Sequence, residues 1–142
     1  MAVKGLEGID ETVQQTYVWI NQVADAFHGN RHQGFQIIRA FLHELRDHLM
    51  VDESAQLAAQ LPLLLRGVYF EGWDPSRNLQ HERSAEEFME RFVRESGVRP
   101  MDAPDSLAAA ARVLRDHVSA GEAEEVFMAL PAHVRDLMHV TS

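Results

Sequence analysis

The chain repeats itself at a spacing of 69 residues, and this repeat restricts its possible folds more than any other feature. The segment LRDHLMVDESAQLAAQLPLLLRGVY at 45–69 aligns without a gap with LRDHVSAGEAEEVFMALPAHVRDLM at 114–138, and eight of the 25 positions are identical. Further upstream, the same spacing pairs Trp19 with Phe88. One register held over this length predicts two copies of a single structural unit.

Both copies show the apolar spacing of amphipathic helices. Apolar residues recur every three or four positions over 10–29 and again over 84–97, which predicts the first helix of each copy. A second and a third helix are expected to follow. Pro62 and Pro131 should then end the third helix and begin a short fourth one, because proline lacks the backbone donor that a helix interior needs.

The repeat and the helical spacing together predict an all-α fold, in which a three-to-four-helix unit is duplicated in tandem and packed into one compact helical bundle. The predicted units are 10–72 and 84–140, joined by a polar linker at 73–83. A chain of 142 residues with 46% hydrophobic residues can bury one shared core, but hardly two large independent ones.

Composition and charge exclude several classes of function. The chain has no cysteine, which excludes disulfides, thiolate nucleophiles and cysteine-ligated zinc. It is acidic, with a net charge of −9, and no window has the excess of Lys and Arg that nucleic-acid binding requires. Because no apolar run is long enough to span a membrane and the first residues lack the apolar core of a signal peptide, we expect a cytoplasmic protein.

Two blocks of the sequence resemble a known family. QLPLLLRGVYFEGWDPS at 60–76 and HERSAEEFMERF at 81–92 are similar to the bacterial family called domain of unknown function 2267, and the resemblance extends over about 13–138. The resemblance implies an all-helical fold and a soluble bacterial protein. It implies no reaction and supplies no catalytic residue.

Histidine is the natural place to look for a metal or a catalytic base. His43 and Asp47 are four positions apart on a predicted helix and could reach one metal ion, with His48 beside them, but two ligands make half a site and no second pair completes it. We therefore predict no cofactor and no catalytic residues, and keep a metal-dependent protein or an enzyme that uses these three residues as the alternative.

Several charged residues recur in both copies and are expected to have structural roles. His48 and His117 should each be a partly buried histidine with a hydrogen-bond partner at the start of the third helix or at the Leu-Pro step. The repeated arginines should tie helix ends together, while the repeated aspartates should meet either solvent or an arginine of the other unit. These residues are Arg46, Arg66, Arg115 and Arg135, with Asp47 and Asp116.

An aromatic block that occurs only once is the best candidate for a binding surface. Tyr69, Phe70 and Trp73 lie within five residues beside a turn sequence, and they are large enough to anchor a partner. Trp73 could equally fold back and close the seam between the units. Because the short helix that carries Leu63 is apolar on all sides, we expect it to lie between the units.

The favoured prediction is a noncatalytic module that binds a protein or a small ligand through Leu63, Tyr69, Phe70 and Trp73, at the junction of the units. A homo-oligomer that uses the same surface is a further possibility. The sequence does not identify the partner or the ligand.

Overall fold

The computed structural model describes residues 5–27, 29–77 and 82–138. In these residues the chain forms eight α-helices and one short 3₁₀ turn, and no β-strand is present, so the predicted all-helical class is confirmed. The helices are α1 (Gly5–Ala26), α2 (Arg31–His48), α3 (Val51–Ala58), α4 (Leu63–Phe70), α5 (Ala85–Ser96), α6 (Ala103–His117), α7 (Ala120–Ala129) and α8 (Ala132–Met138), and the 3₁₀ turn is Pro100–Asp102.

Helices α2 and α6 lie at the centre and pack against each other. Helix α2 also contacts α1, α4 and α5, while α6 also contacts α1, α5, α7 and α8. The buried apolar side chains form one continuous core that includes Leu45 from α2 and Leu114 from α6. A single core of this kind means that neither half of the chain buries its apolar faces alone.

The helix ends of the two halves fall at matching positions of the 69-residue spacing. His48 ends α2 and His117 ends α6. The short helix α4 begins directly after Pro62, and α8 begins directly after Pro131. The residue after each of the two histidines has an extended backbone, so both helices stop in the same way. Pro62 and Pro131 are the physical reason for the later shared break, between α3 and α4 and between α7 and α8.

Local signals place the other helix ends. The hydroxyl of Ser84 accepts from the amide of Glu87 at the start of α5, and Ser119 accepts from Glu122 at the start of α7. Gly97 ends α5 in the left-handed conformation, at φ +76°. Helix α1 begins at Gly5, earlier than predicted. The sequence did not reveal its first turns because they are exposed and show no apolar spacing.

Helix α4 does not lie between the two halves, contrary to our expectation. It packs on α1 and α2, and the side chains of Leu63 and Leu64 stay 44% and 45% exposed. Leu65 and Tyr69 supply its buried face. Apolar composition on all sides of this helix therefore leaves leucine side chains at the surface, where hydrophobic residues are common.

Within the described residues, no helix is long and apolar enough to cross a bilayer.

Arg66 and Arg135 make equivalent contacts in the two halves. The guanidinium of Arg66 donates to the carbonyls of Ala58, Ala59 and Leu61, where α3 ends. The guanidinium of Arg135 donates to the carbonyls of Met128 and Leu130, where α7 ends. Each arginine thereby satisfies carbonyl groups that the end of a helix leaves without an intrahelical donor.

Candidate functional site

An open groove lies where α1 of the first half meets the connection from α3 to α4 and the end of α6. Its volume is about 890 Å³. We call it the junction groove. Trp19 and Leu61 are buried beneath it, while the side chains of Val18 and Leu63 are 46% and 44% exposed along it. The carboxylates of Glu7 and Glu11 line the α1 side, next to Thr12 and Gln15, and Gln60, Arg66 and His117 complete the polar part of the lining.

His117 is held at the edge of this groove by two contacts with α1. Its imidazole stacks on the indole of Trp19, with ring centroids 4.9 Å apart. Its Nε2 lies 2.7 Å from Gln22 Oε1, in a hydrogen bond that the amide oxygen accepts. The side chain is exposed, so its ring is accessible to a bound partner.

The corresponding histidine of the first half, His48, makes a reciprocal contact with the second half. Its ring meets Phe88 of α5 edge-on, at 5.5 Å between centroids. Since Phe88 and Trp19 are themselves 69 positions apart, each histidine packs on the aromatic residue of the other half at the matching position. The environments differ, however, because His48 is fully buried.

Buried charged groups surround His48. Its Nδ1 donates to the backbone carbonyl of Glu44 at 2.7 Å, and its Nε2 lies 2.6 Å from Glu82 Oε1. We expected the partner of His48 at the start of the third helix or at the Leu-Pro step, and the carboxylate of Glu82 was not anticipated. Glu82 lies in the predicted linker, where the sequence offers only an alternation of charged and polar residues.

Arg91 of α5 joins two of the carboxylates in this region. Its Nε lies 3.1 and 3.2 Å from the two carboxylate oxygens of Glu44, and its Nη2 donates to Glu82. Burial, together with the neighbouring carboxyl of Glu95, raises the pKa of Glu44 to about 9. At neutral pH the Glu44 carboxyl therefore retains a proton that an exposed glutamate would have lost.

The predicted aromatic anchor is wrong for Tyr69. Its side chain is fully buried, because it lies four residues after Leu65 on the face of α4 that packs into the core. Phe70 is partly buried and contacts the rings of both Tyr69 and Trp73, at 5.2 and 5.1 Å between centroids. Phe70, the last residue of α4, and Trp73, beyond it, thus remain partly accessible, while Leu63 lies at the start of the helix.

Asp47 meets neither solvent nor an arginine of the other half, the two alternatives that the sequence left open. It is buried and accepts from the adjacent Arg46, at 2.9 Å between Asp47 Oδ1 and Arg46 Nε. Arg46 also donates to the carbonyls of Tyr69 and Glu71, which fixes the end of α4. Asp116, the counterpart of Asp47 in the second half, is exposed.

The three residues of the metal-site alternative have separate partners. His43 Nε2 lies 2.7 Å from the carbonyl of Val68, Asp47 pairs with Arg46, and His48 contacts Glu82. Burial lowers the pKa of His43. Within 5–27, 29–77 and 82–138, no three His, Asp or Glu side chains are arranged to hold a metal ion.

The fold and these sites define an all-helical protein whose two halves share one core and leave an open groove between them. The chain belongs to the family described as uncharacterized conserved protein (DUF2267), which matches residues 16–137. No curated protein matches the chain.

Proposed function

We propose that this protein is a noncatalytic interaction module, and that its junction groove binds a helical segment of another protein that has an apolar face and basic residues beside it. The observation that carries this proposal is the pairing of exposed Val18 and Leu63 with the carboxylates of Glu7 and Glu11 in one groove. Apolar contact would supply affinity, and the carboxylates would select basic residues.

The two halves differ at the groove in a way that supports a specific role. Where the first half has Leu63, the second half has Ala132 at the corresponding position. Phe70 and Trp73, at the other end of α4 and just beyond it, extend the proposed surface for a longer segment, while Tyr69 contributes only to the core beneath it.

Charge favours a different protein over a second copy of this chain as the occupant. The chain has a net charge of −9, so two copies repel each other, whereas a basic segment is attracted. The proposal that the module is noncatalytic is supported by the buried position of Glu44, a titratable group with a strongly raised pKa that substrate could not reach.

A defined peptide tests the groove directly. The probe is a synthetic helical peptide with leucine on one face and lysine beside it, titrated against ¹⁵N-labelled protein while amide shifts are followed. We expect shifts in α1 and at the start of α4, and at least a tenfold weaker affinity for Leu63→Glu. Met101→Glu is the matched control, because Met101 is 75% exposed but lies outside the groove.

Three outcomes would contradict the proposal. A peptide with glutamate in place of lysine that binds equally well would remove the role of the carboxylates. Unchanged affinity for Leu63→Glu would move the binding surface elsewhere. A dimer in light scattering that Leu63→Glu dissociates would make a second copy the occupant.

Trp73→Ala tests the extended surface. It should weaken binding of a longer peptide with little change in melting temperature, and a large loss of stability would assign Trp73 to the core.

We also infer that the two halves arose by tandem duplication of one helical unit, with units at 10–72 and 84–140 and a linker at 73–83. The reciprocal contacts of His48 with Phe88 and of His117 with Trp19 support this inference. An experimental structure in which α2–α4 and α6–α8 fail to superimpose at the 69-residue spacing would contradict it. A bacterial, cytoplasmic setting is part of the proposal and is tested by fractionation of cells.

A further inference from the structure

Six titratable or charged side chains form a largely buried group, which we call the acid–base cluster. Its members come from four parts of the chain: α2, the segment before α5, α5 itself and α8. They are Glu44, His48, Glu82, Arg91, Glu95 and His133. The cluster therefore joins the central helix of the first half to the linker and to two helices of the second half.

The cluster has more negative than positive groups. Three carboxyl groups surround one guanidinium, and the side chains of Glu44 and Glu82 are only 0% and 4% exposed. Because the Glu44 carbonyl can only accept, His48 Nδ1 must donate to it, and one proton then lies between His48 Nε2 and Glu82 Oε1. That proton offsets one of the two excess negative charges.

The second proton belongs to Glu44, whose side chain is fully buried beside Arg91. Glu95 Oε1 is buried without a hydrogen-bond donor, and the Glu95 carboxyl is one of the groups that raise the pKa of Glu44. Two adjacent buried carboxyl groups repel each other unless one of them is protonated. With this proton in place, the cluster is close to neutral. Without it, three carboxylates face one arginine in a largely buried site.

We propose that the acid–base cluster is a proton-dependent latch that holds α5 against α2, and hence the second half of the protein against the first. When the Glu44 proton is present, Arg91 bridges Glu44 and Glu82. When it is lost, repulsion between buried carboxylates and the cost of leaving them desolvated drive α5 away from α2.

The direction of the pH dependence follows from the proton. The folded protein keeps it up to about pH 9, whereas an unfolded chain loses it near the ordinary glutamate value of 4.5. The stabilisation by the protonated pair is complete below pH 4.5, declines as the pH rises, and is lost as the pH passes about 9. The latch thus loosens under alkaline conditions.

The other helices that pack on α2 are α1, α4 and α6, and their buried residues are all uncharged. His133 of α8 also faces the cluster, with its Nε2 3.7 Å from Glu82 Oε1. At the corresponding junction around His117, Gln22 occupies the position that matches Arg91, so the proposed latch belongs to one junction.

The latch is tested by following α5 as the pH is raised. Hydrogen exchange of the α5 amides, corrected for intrinsic rates, and the melting temperature are measured from pH 6 to 10. In the unmodified protein, we expect the protection of the α5 amides from exchange to fall about tenfold for each pH unit over which the proton is lost. The melting temperature should fall over the same pH range. Glu44→Gln should show neither change, because its amide can accept from Arg91 and donate to Glu95 without titrating.

Glu90→Gln is the matched control, since Glu90 is exposed on the same helix and should leave the pH profile unchanged. If Glu44→Gln does not fold, Glu95→Gln removes the neighbouring carboxyl and leaves burial as the main cause of the raised pKa of Glu44, so the loss of protection should be complete at a lower pH than in the unmodified protein. Equal pH profiles for the unmodified protein and the Gln variant would overturn the latch. So would a loss of protection that is spread evenly over all helices and not concentrated in α5.

Discussion

The imidazole of His117 stacks on the indole of Trp19 at 4.9 Å, across the junction between the two halves of the chain. Its counterpart, His48, contacts Phe88 at a second place where the two halves meet, edge-on and at 5.5 Å. The first contact lies at an exposed groove and the second lies beside a buried group of charges. Matching positions of the repeat thus occupy unlike environments, which makes them natural pairs for experiment.

The two histidines should differ strongly in their contribution to stability. His48→Ala removes one of two partners of the buried Glu82 carboxylate, which keeps Arg91, and leaves the Glu44 carbonyl without its side-chain donor, so it should lower the free energy of unfolding by about 3 kcal/mol. His117→Ala removes an exposed stacking contact and one hydrogen bond, and should cost about 1 kcal/mol. Urea unfolding of both variants measures this. Equal losses would mean that the buried charges do not depend on His48.

The helical class and most helix ends were predictable because they depend on local signals. Apolar spacing, Ser84, Gly97 and the two prolines act within a few residues of their own position, so the sequence displays them directly. The partner of His48 was not predictable. Glu82 is 34 positions away and comes from a segment without regular structure, so only the packing of α5 on α2 brings the two side chains together.

Asp47 and Asp116 form a second matched pair. Asp47 is buried in an ion pair with Arg46, so Asp47→Ala leaves a guanidinium with only backbone carbonyls around it. This should cost about 3 kcal/mol. Asp116 is exposed, and Asp116→Ala should change the free energy of unfolding by less than about 0.5 kcal/mol. Thermal and urea unfolding compare them. An equal effect at the two positions would contradict the buried ion pair.

The failure of the Tyr69 prediction has a physical cause that concerns the whole aromatic block. Composition suggests an exposed anchor, but the direction of each side chain on a helix is fixed by its position. Tyr69 shares the face of Leu65 and is buried, while Phe70, one residue later, turns toward Trp73. Helical position therefore gives a better guide to this block than its aromatic content.

Two helical glycines should respond in opposite directions to the same substitution. A β-carbon at Gly34 would lie 2.6 Å from the Ile20 carbonyl, so Gly34→Ala must push α1 away from α2 and should lower the free energy of unfolding by about 2 kcal/mol. A β-carbon at Gly67 meets nothing within 4 Å, and Gly67→Ala should raise the stability by about 0.5 to 1 kcal/mol. The melting temperatures of the two variants measure both changes in stability. Stabilisation by Gly34→Ala would contradict the close contact of α1 with α2.

His43 should make the protein less stable as the pH falls below neutrality. Burial lowers its pKa below the ordinary value of 6.5, so the unfolded chain takes up a proton at a pH where the folded protein does not. The stabilisation by neutral His43 is present above pH 6.5 and is lost as the pH falls through the lowered folded-state value.

His43→Gln can still donate to the Val68 carbonyl but cannot titrate. Between pH 7 and 5, this variant should therefore lose less stability than the unmodified protein in urea unfolding, with each tenfold weakening of proton binding worth about 1.4 kcal/mol. His32→Gln, at an exposed position of the same helix, is the control for loss of a histidine. Protonation of Glu44 stabilises the protein over the same fall in pH. The effect of His43 is therefore the difference between the pH profiles of the variant and the unmodified protein, and not the profile of one protein alone. Parallel pH profiles for His43→Gln and the unmodified protein would show that His43 is not desolvated.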